Sequence, residues 1–119
     1  MNSFADTGTG EISPLDTDLR VEITLRVRGT EVCEAEFNCS DDIHLNACAK
    51  ALCGVILEKP VVDLFQMNAN AVYYNLEEDL PRDKLFCASM AVTAAKRAAA
   101  DYCKKNGIPY EHPDGCSCY

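Results

Sequence analysis

The sequence is short of several things. It has only 11 basic residues against 19 acidic ones, for a formal net charge of −8. A surface with that balance is repelled by phosphate backbones, which excludes nucleic acid as the expected partner. Only two histidines are present, which leaves little material for general acid–base chemistry. No serine-centred triad, Gly-rich phosphate loop or zinc-finger spacing occurs. No run approaches the ~20 apolar residues that a bilayer span needs, so no membrane role is expected. Met1 to Pro14 carries neither a basic stretch nor an apolar core, the marks of a secretory leader. The expected location is therefore the cytoplasm, where thiols stay reduced.

What is present in excess is cysteine: eight in 119 residues. One domain and one core fit this length, so a disulfide framework is not required for folding. Each thiol is then a small core residue, a metal ligand or a reactive group. Residues 1–18 read as a mobile arm or a short edge strand, 19–107 as the folded domain, and 108–119 as a cysteine-containing tail.

Leu19 to Val27 alternates strictly, with Leu19, Val21, Ile23, Leu25 and Val27 on one face, the period of a half-buried strand. Gly29 marks a turn. A second alternation places Cys33, Ala35, Phe37 and Cys39 inward. Ser40, Asp41 and Asp42 then supply capping oxygens for a helix carrying Leu45, Cys48, Leu52 and Ile56 at helical spacing, which ends before Pro60. Short helices are expected after Pro60 and around Ala69 to Leu76. A long alanine-rich helix is expected from Lys84 to Lys105, closed by Asn106-Gly107. The fold class is α+β: a small antiparallel sheet followed by a helical layer.

Three places carry candidate chemistry. Asp42, His44 and Cys48 span the start of the first helix, and His44 and Cys48 are four residues apart. They read either as ligands for zinc or ferrous iron or as a cap, a surface residue and a core residue. Cys87 lies just inside the last helix beside Lys84. There the helix dipole and the lysine are expected to lower the thiol pKa, unless the side chain is simply buried. Cys116 and Cys118 form a C-x-C near the last residue, able to chelate a soft metal or to form an exchangeable disulfide. Cys33, Cys39, Cys53 and Cys103 read as core.

The order of these segments resembles the NifU/IscU-type iron–sulfur cluster assembly scaffolds. The likeness rests on the strand Leu19 to Val27 and on Ala35-Glu36-Phe37 leading into a helix that ends at Glu58-Lys59. It rests further on Leu80-Pro81-x-x-Lys84-x-x-Cys87-Ala88 and on Ala98-Ala99-Ala100-Asp101-Tyr102. It covers roughly residues 9 to 106. The resemblance implies a scaffold or carrier that holds iron, zinc or a small Fe–S cluster and accepts sulfur from a cysteine desulfurase or another Fe–S assembly protein. No enzymatic turnover is implied. Carried over by position, the family's third cysteine is Cys87 and its neighbouring base Lys84, while the histidine before that cysteine is replaced by Phe86. The second cysteine falls on Asp42. The first falls near Leu15, and the aspartate that follows falls near Thr17, between Asp16 and Asp18. The chaperone-recognition stretch reads Leu80-Pro81-Arg82-Asp83-Lys84, departing at Arg82 and Asp83. With one family cysteine kept, a mixed site of Cys87 and Asp42, completed by Cys116 and Cys118 folding back, is the expected ligand set. Two alternatives stand beside it. One is an interaction module that kept the fold and lost the cluster. The other is a thiol sulfur carrier or redox protein that works through Cys116 and Cys118.

Overall fold

The computed structural model describes residues 6–13, 18–76 and 80–108. Three strands form one antiparallel sheet in the order β1 (Thr7–Ile12), β2 (Val21–Arg28), β3 (Glu31–Cys39). Three α-helices follow: α1 (Ile43–Ile56), the short α2 (Asn70–Tyr73) and α3 (Phe86–Lys105). Two 3-10 turns, Val61–Gln66 and Arg82–Lys84, lie between them. The α+β layout is therefore the one the alternation and the helical spacing predict. Among the described residues no helix is long and apolar enough to cross a membrane.

The sheet is organised by burial of one face. Val21, Ile23, Leu25 and Val27 are buried along β2, while the residues between them are more open. Gly29 takes a φ of 67° at the first position of the two-residue turn into β3, which the absence of a Cβ makes cheap. Beyond that turn the register slips: Arg26 pairs with Glu34 but Val27 pairs with Val32. Cys33 is thus the extra residue of a bulge. Val32, fully buried, takes the inward place that strict alternation gives to Cys33, and Cys33 is only half-buried.

β1 is an edge strand inside the segment that the sequence reads as a mobile arm or a short edge strand. Its two glycines pack against the long helix. A Cβ placed on Gly8 would come within 2.2 Å of the Ala98 carbonyl oxygen, and one on Gly10 within 2.2 Å of the Ala98 nitrogen. Ala94 and Ala98 keep the helix surface shallow at this crossing, so that backbone meets backbone. Polar side chains of α3 then finish the strand edge. Asp101 accepts the Thr9 N–H at 2.9 Å, and Arg97 donates to the Glu11 carbonyl at 2.9 Å. These bonds occupy backbone groups that an open edge would offer to another chain. The Asp101-Tyr102 pair at the helix end therefore has a structural role: the carboxylate holds β1, and Tyr102 is buried with its backbone nitrogen and Cβ against Gly8.

Between sheet and α3 lies one core, to which α1 contributes Leu45, Cys48, Leu52 and Ile56, all fully buried. α1 stops at Ile56. Glu58 turns into the left-handed region at φ 69° and its N–H bonds the Val32 carbonyl at 2.7 Å. Lys59 and Pro60 then run beside the start of β3, with the Val32 N–H bonded to the Lys59 carbonyl. This docking sends the chain across to the turn at Val61–Gln66. α3 begins at Phe86 rather than at Lys84, because residues 82–84 form a separate 3-10 turn behind Pro81.

Candidate functional site

The site is built where the end of β3 hands over to α1. Asp42 is the N-cap of α1: its Oδ1 accepts from the N–H groups of His44 at 3.0 Å and Leu45 at 2.9 Å. That role follows from local chemistry, since a short carboxylate satisfies backbone donors that have no partner within the helix. The other oxygen, Oδ2, accepts from the Lys84 ammonium at 2.9 Å. Lys84 closes the 3-10 turn that leads into α3, and Cys87 follows as the second residue of that helix. The bridge thus ties the entrance of α1 to the entrance of α3. Its carboxylate is 14% exposed and its lysine 30%. Cys87 is fully buried.

Electrostatics follows from this placement. Asp42 is held below its ordinary carboxyl value of 3.8, first by the Leu45 N–H and then by the Lys84 ammonium. Lys84 is pushed above its ordinary 10.5 by the same hydrogen bond. A lowered carboxyl pKa contributes stability above the unfolded value and loses it as pH falls through the folded one. A raised lysine pKa contributes below 10.5 and loses it as pH rises through its higher value. The pair is therefore intact across the neutral range. We expect Asp42→Asn to be less stable than the wild type by urea unfolding at about pH 7, and the gap to shrink at about pH 3. An equal gap at both pH values would mean the charge of Asp42 does not stabilise the fold.

The Cys87 thiol departs from its expectation. The helix terminus and Lys84 predict a lowered pKa, but the thiol is raised, first by burial and next by the Asp42 charge, with Lys84 opposing. Loss of solvent outweighs the dipole because the side chain points into the core. Two further thiols share this field. Cys48 on α1 is pushed up to about 12 by burial, then by Cys87 and by Asp42. Cys39, the last residue of β3, is raised by burial and by Asp42. Sequence periodicity assigns both to the core and gives no hint that they neighbour Cys87. For Cys39 the one available signal was its closeness to the helix cap, three residues ahead of Asp42, and for Cys48 it was the place in the first turns of the helix that Asp42 caps.

The Asp42, His44, Cys48 trio does not assemble. His44 lines a groove of about 540 Å³ on the outer face of α1, together with Ile43, Ala47 and Ala51, whereas Cys48 faces inward and is fully buried. Four-residue spacing puts side chains near each other on a helix but not on the same side of a core boundary. Among the described residues no group of three or more His, Cys, Asp and Glu is placed to hold a metal ion. Cys116 and Cys118, and the segment carrying Leu15, Asp16 and Thr17, lie outside the described residues. Asp18 is described and exposed. Cys33, Cys39, Cys48, Cys53, Cys87 and Cys103 are free thiols.

A three-stranded antiparallel sheet, a capped helix behind it, and a carboxylate–lysine pair that ties the entrances of α1 and α3 together make up the α+β layout on which the site stands. The family model described as the NifU-like N terminal domain matches residues 4–108, and the chain belongs to that family. Among the curated proteins none matches the chain. Family membership supports a general role in iron–sulfur cluster assembly scaffolding; domains of this family are associated with Fe–S clusters and with Fe–S assembly partners.

Proposed function

We propose that the protein is a divergent scaffold or carrier of iron–sulfur cluster assembly in which Cys87 is the working thiol. The observation that supports this reading is the Asp42–Lys84 bond joining the entrances of α1 and α3 close to Cys87, at the residues the resemblance matches to the family's site. Cys87 offers a soft sulfur donor and Asp42 a hard oxygen donor, a pair suited to iron or zinc. Both oxygens of Asp42 already accept hydrogen bonds, so these two residues alone do not complete a site. The remaining ligands come from residues outside those described, with Cys116 and Cys118 the assigned thiols. The cargo is an iron or zinc ion or a small cluster, held and passed on without turnover of a small molecule.

Sulfur acceptance takes place at the same residue. The Cys87 proton is lost to solvent, and the thiolate attacks the terminal sulfur of a persulfide on the donor. The donor's sulfur–sulfur bond breaks, a new one forms on Cys87, and the donor departs as a thiolate. A cysteine desulfurase is a donor of this chemistry. Reduced thiols and assembly partners of this type suit a cytoplasmic protein. Anaerobic reconstitution with ferrous iron and sulfide, followed by metal analysis, tests the reading by comparing the wild type with Cys87→Ser.

A second reading has a specific observation in its favour. Full burial of Cys87, with Asp42 committed to other donors, suits a module that kept the scaffold fold and binds a partner protein without cargo. Absence of iron from the reconstituted wild type is its signature.

A further inference from the structure

Cys87 is closed off in a way its sequence position does not require. The second residue of a helix has its backbone N–H free of intrahelical partners and commonly meets solvent. Here the side chain has no exposure, while its neighbours Leu85 and Phe86 are 42% and 39% exposed. Cys87 sits where the entrances of α1 and α3 meet, and among the described residues the Asp42–Lys84 pair is a polar contact between those two entrances. The residues in this contact are 42 positions apart. Lys84 lies three residues before Cys87, so one end of the bridge stands within a turn of the thiol at the entrance of α3. Asp42 is also anchored on its other side by two backbone N–H groups of α1, so the carboxylate itself is fixed. Lys84 is the movable half: its side chain is the more exposed of the two, and it belongs to a 3-10 turn of three residues.

We propose that the Asp42–Lys84 ion pair is a latch over Cys87: while Lys84 sits on Asp42 the thiol is shut away from solvent, and withdrawal of Lys84 opens it. The ligand that opens the latch in use is a cation that takes Lys84's place on the Asp42 carboxylate, an exchange of one positive group for another that leaves the helix cap in place. Lys84 is thereby a positioning residue, acting on Cys87 through Asp42. This inference deepens the carrier role proposed above and rests on it for its purpose. The latch itself is read without any cargo, so failure of the latch and failure of the carrier role are separable.

Time-resolved alkylation of the full, reduced chain with iodoacetamide, followed by peptide mass spectrometry, measures each thiol separately. Cys103 is the internal reference, since it is fully buried near the other end of α3, away from the bridge. Lys84→Met removes the ammonium and keeps an aliphatic stem. Asp42→Asn keeps an oxygen to cap α1 and discards the charge. The expected result in each variant is an increase of at least fivefold in the Cys87 rate relative to Cys103, with zinc and iron absent throughout. A smaller relative gain overturns the latch, and so does a matching acceleration of Cys103, which would report loosening of the whole fold. If Lys84→Met does not fold, Lys84→Gln takes its place, because loss of the Asp42 charge by itself favours the Cys87 thiolate while loss of the Lys84 charge opposes it, so that a gain in a Lys84 variant reports access.

Discussion

Gly10→Ala should destabilise the protein by about 3 kcal/mol or more, a large part of the roughly 5–15 kcal/mol that holds a domain of this kind together. The added Cβ would lie 2.2 Å from the Ala98 nitrogen and 2.3 Å from the Ala94 carbonyl oxygen. Both are backbone atoms of α3, so no side-chain rotation relieves the clash. The helix must move away from β1, which breaks the Asp101–Thr9 and Arg97–Glu11 bonds and opens the core on that side. Gly54→Ala is the matched control. It lies within α1 and its Cβ meets nothing within 4 Å, so it should stabilise the fold by roughly 0.5–1 kcal/mol through helix propensity. Urea unfolding of the two variants checks both signs. A Gly10→Ala protein within about 1 kcal/mol of the wild type would mean that β1 does not sit on α3 as described.

The second large effect is a gain. Asp42→Cys puts a thiol at the position where the family's second cysteine falls, next to Cys87 and without the ammonium of Lys84 bound to it. The substitution weakens the helix cap, at a cost of about 1 kcal/mol in stability. In exchange it supplies a second soft donor for a borderline-soft ion such as zinc. Zinc affinity at this site should rise at least about tenfold, equivalent to about 1.4 kcal/mol of binding free energy. Cadmium should show added sulfur-to-metal charge-transfer absorbance that disappears again in the Asp42→Cys, Cys87→Ser double variant. Unchanged zinc affinity would show that position 42 does not face the same ion as Cys87.

How far such features were legible in the sequence depended on whether their cause was local. The alternation of Val21, Ile23 and Leu25 is a direct record of one buried face, and the cap at Asp42 follows from helix ends lacking acceptors for their first N–H groups. The bulge at Cys33 is invisible to alternation, because it depends on how Val27 and Val32 pair after the Gly29 turn. Gly8 and Gly10 read as flexibility, yet their reason for being glycine is a helix some ninety residues further along. The position of Lys84 and Cys87 beside Asp42 was legible only through the family resemblance, since no periodicity links residues 42 apart. For Cys87 the local rule pointed the wrong way. A helix N-terminus lowers a thiol pKa when the thiol is solvated, and here the fold removes the solvent. Cys39 fits its strand period so well that nothing in the sequence marked it as a neighbour of the site, and Cys48 was singled out only for its four-residue spacing from His44, which faces the other way.

The central claim is that Cys87 is the thiol through which this member of the family handles iron and sulfur. Anaerobic reconstitution of the wild type and of Cys87→Ser with ferrous iron and sulfide, followed by iron and sulfide analysis and visible absorbance, measures it most directly. The account predicts that the wild type retains both elements with sulfur-to-iron absorbance and that Cys87→Ser, folded to the same extent by circular dichroism, retains neither. Equal loading of the two proteins, or none in either, would contradict it.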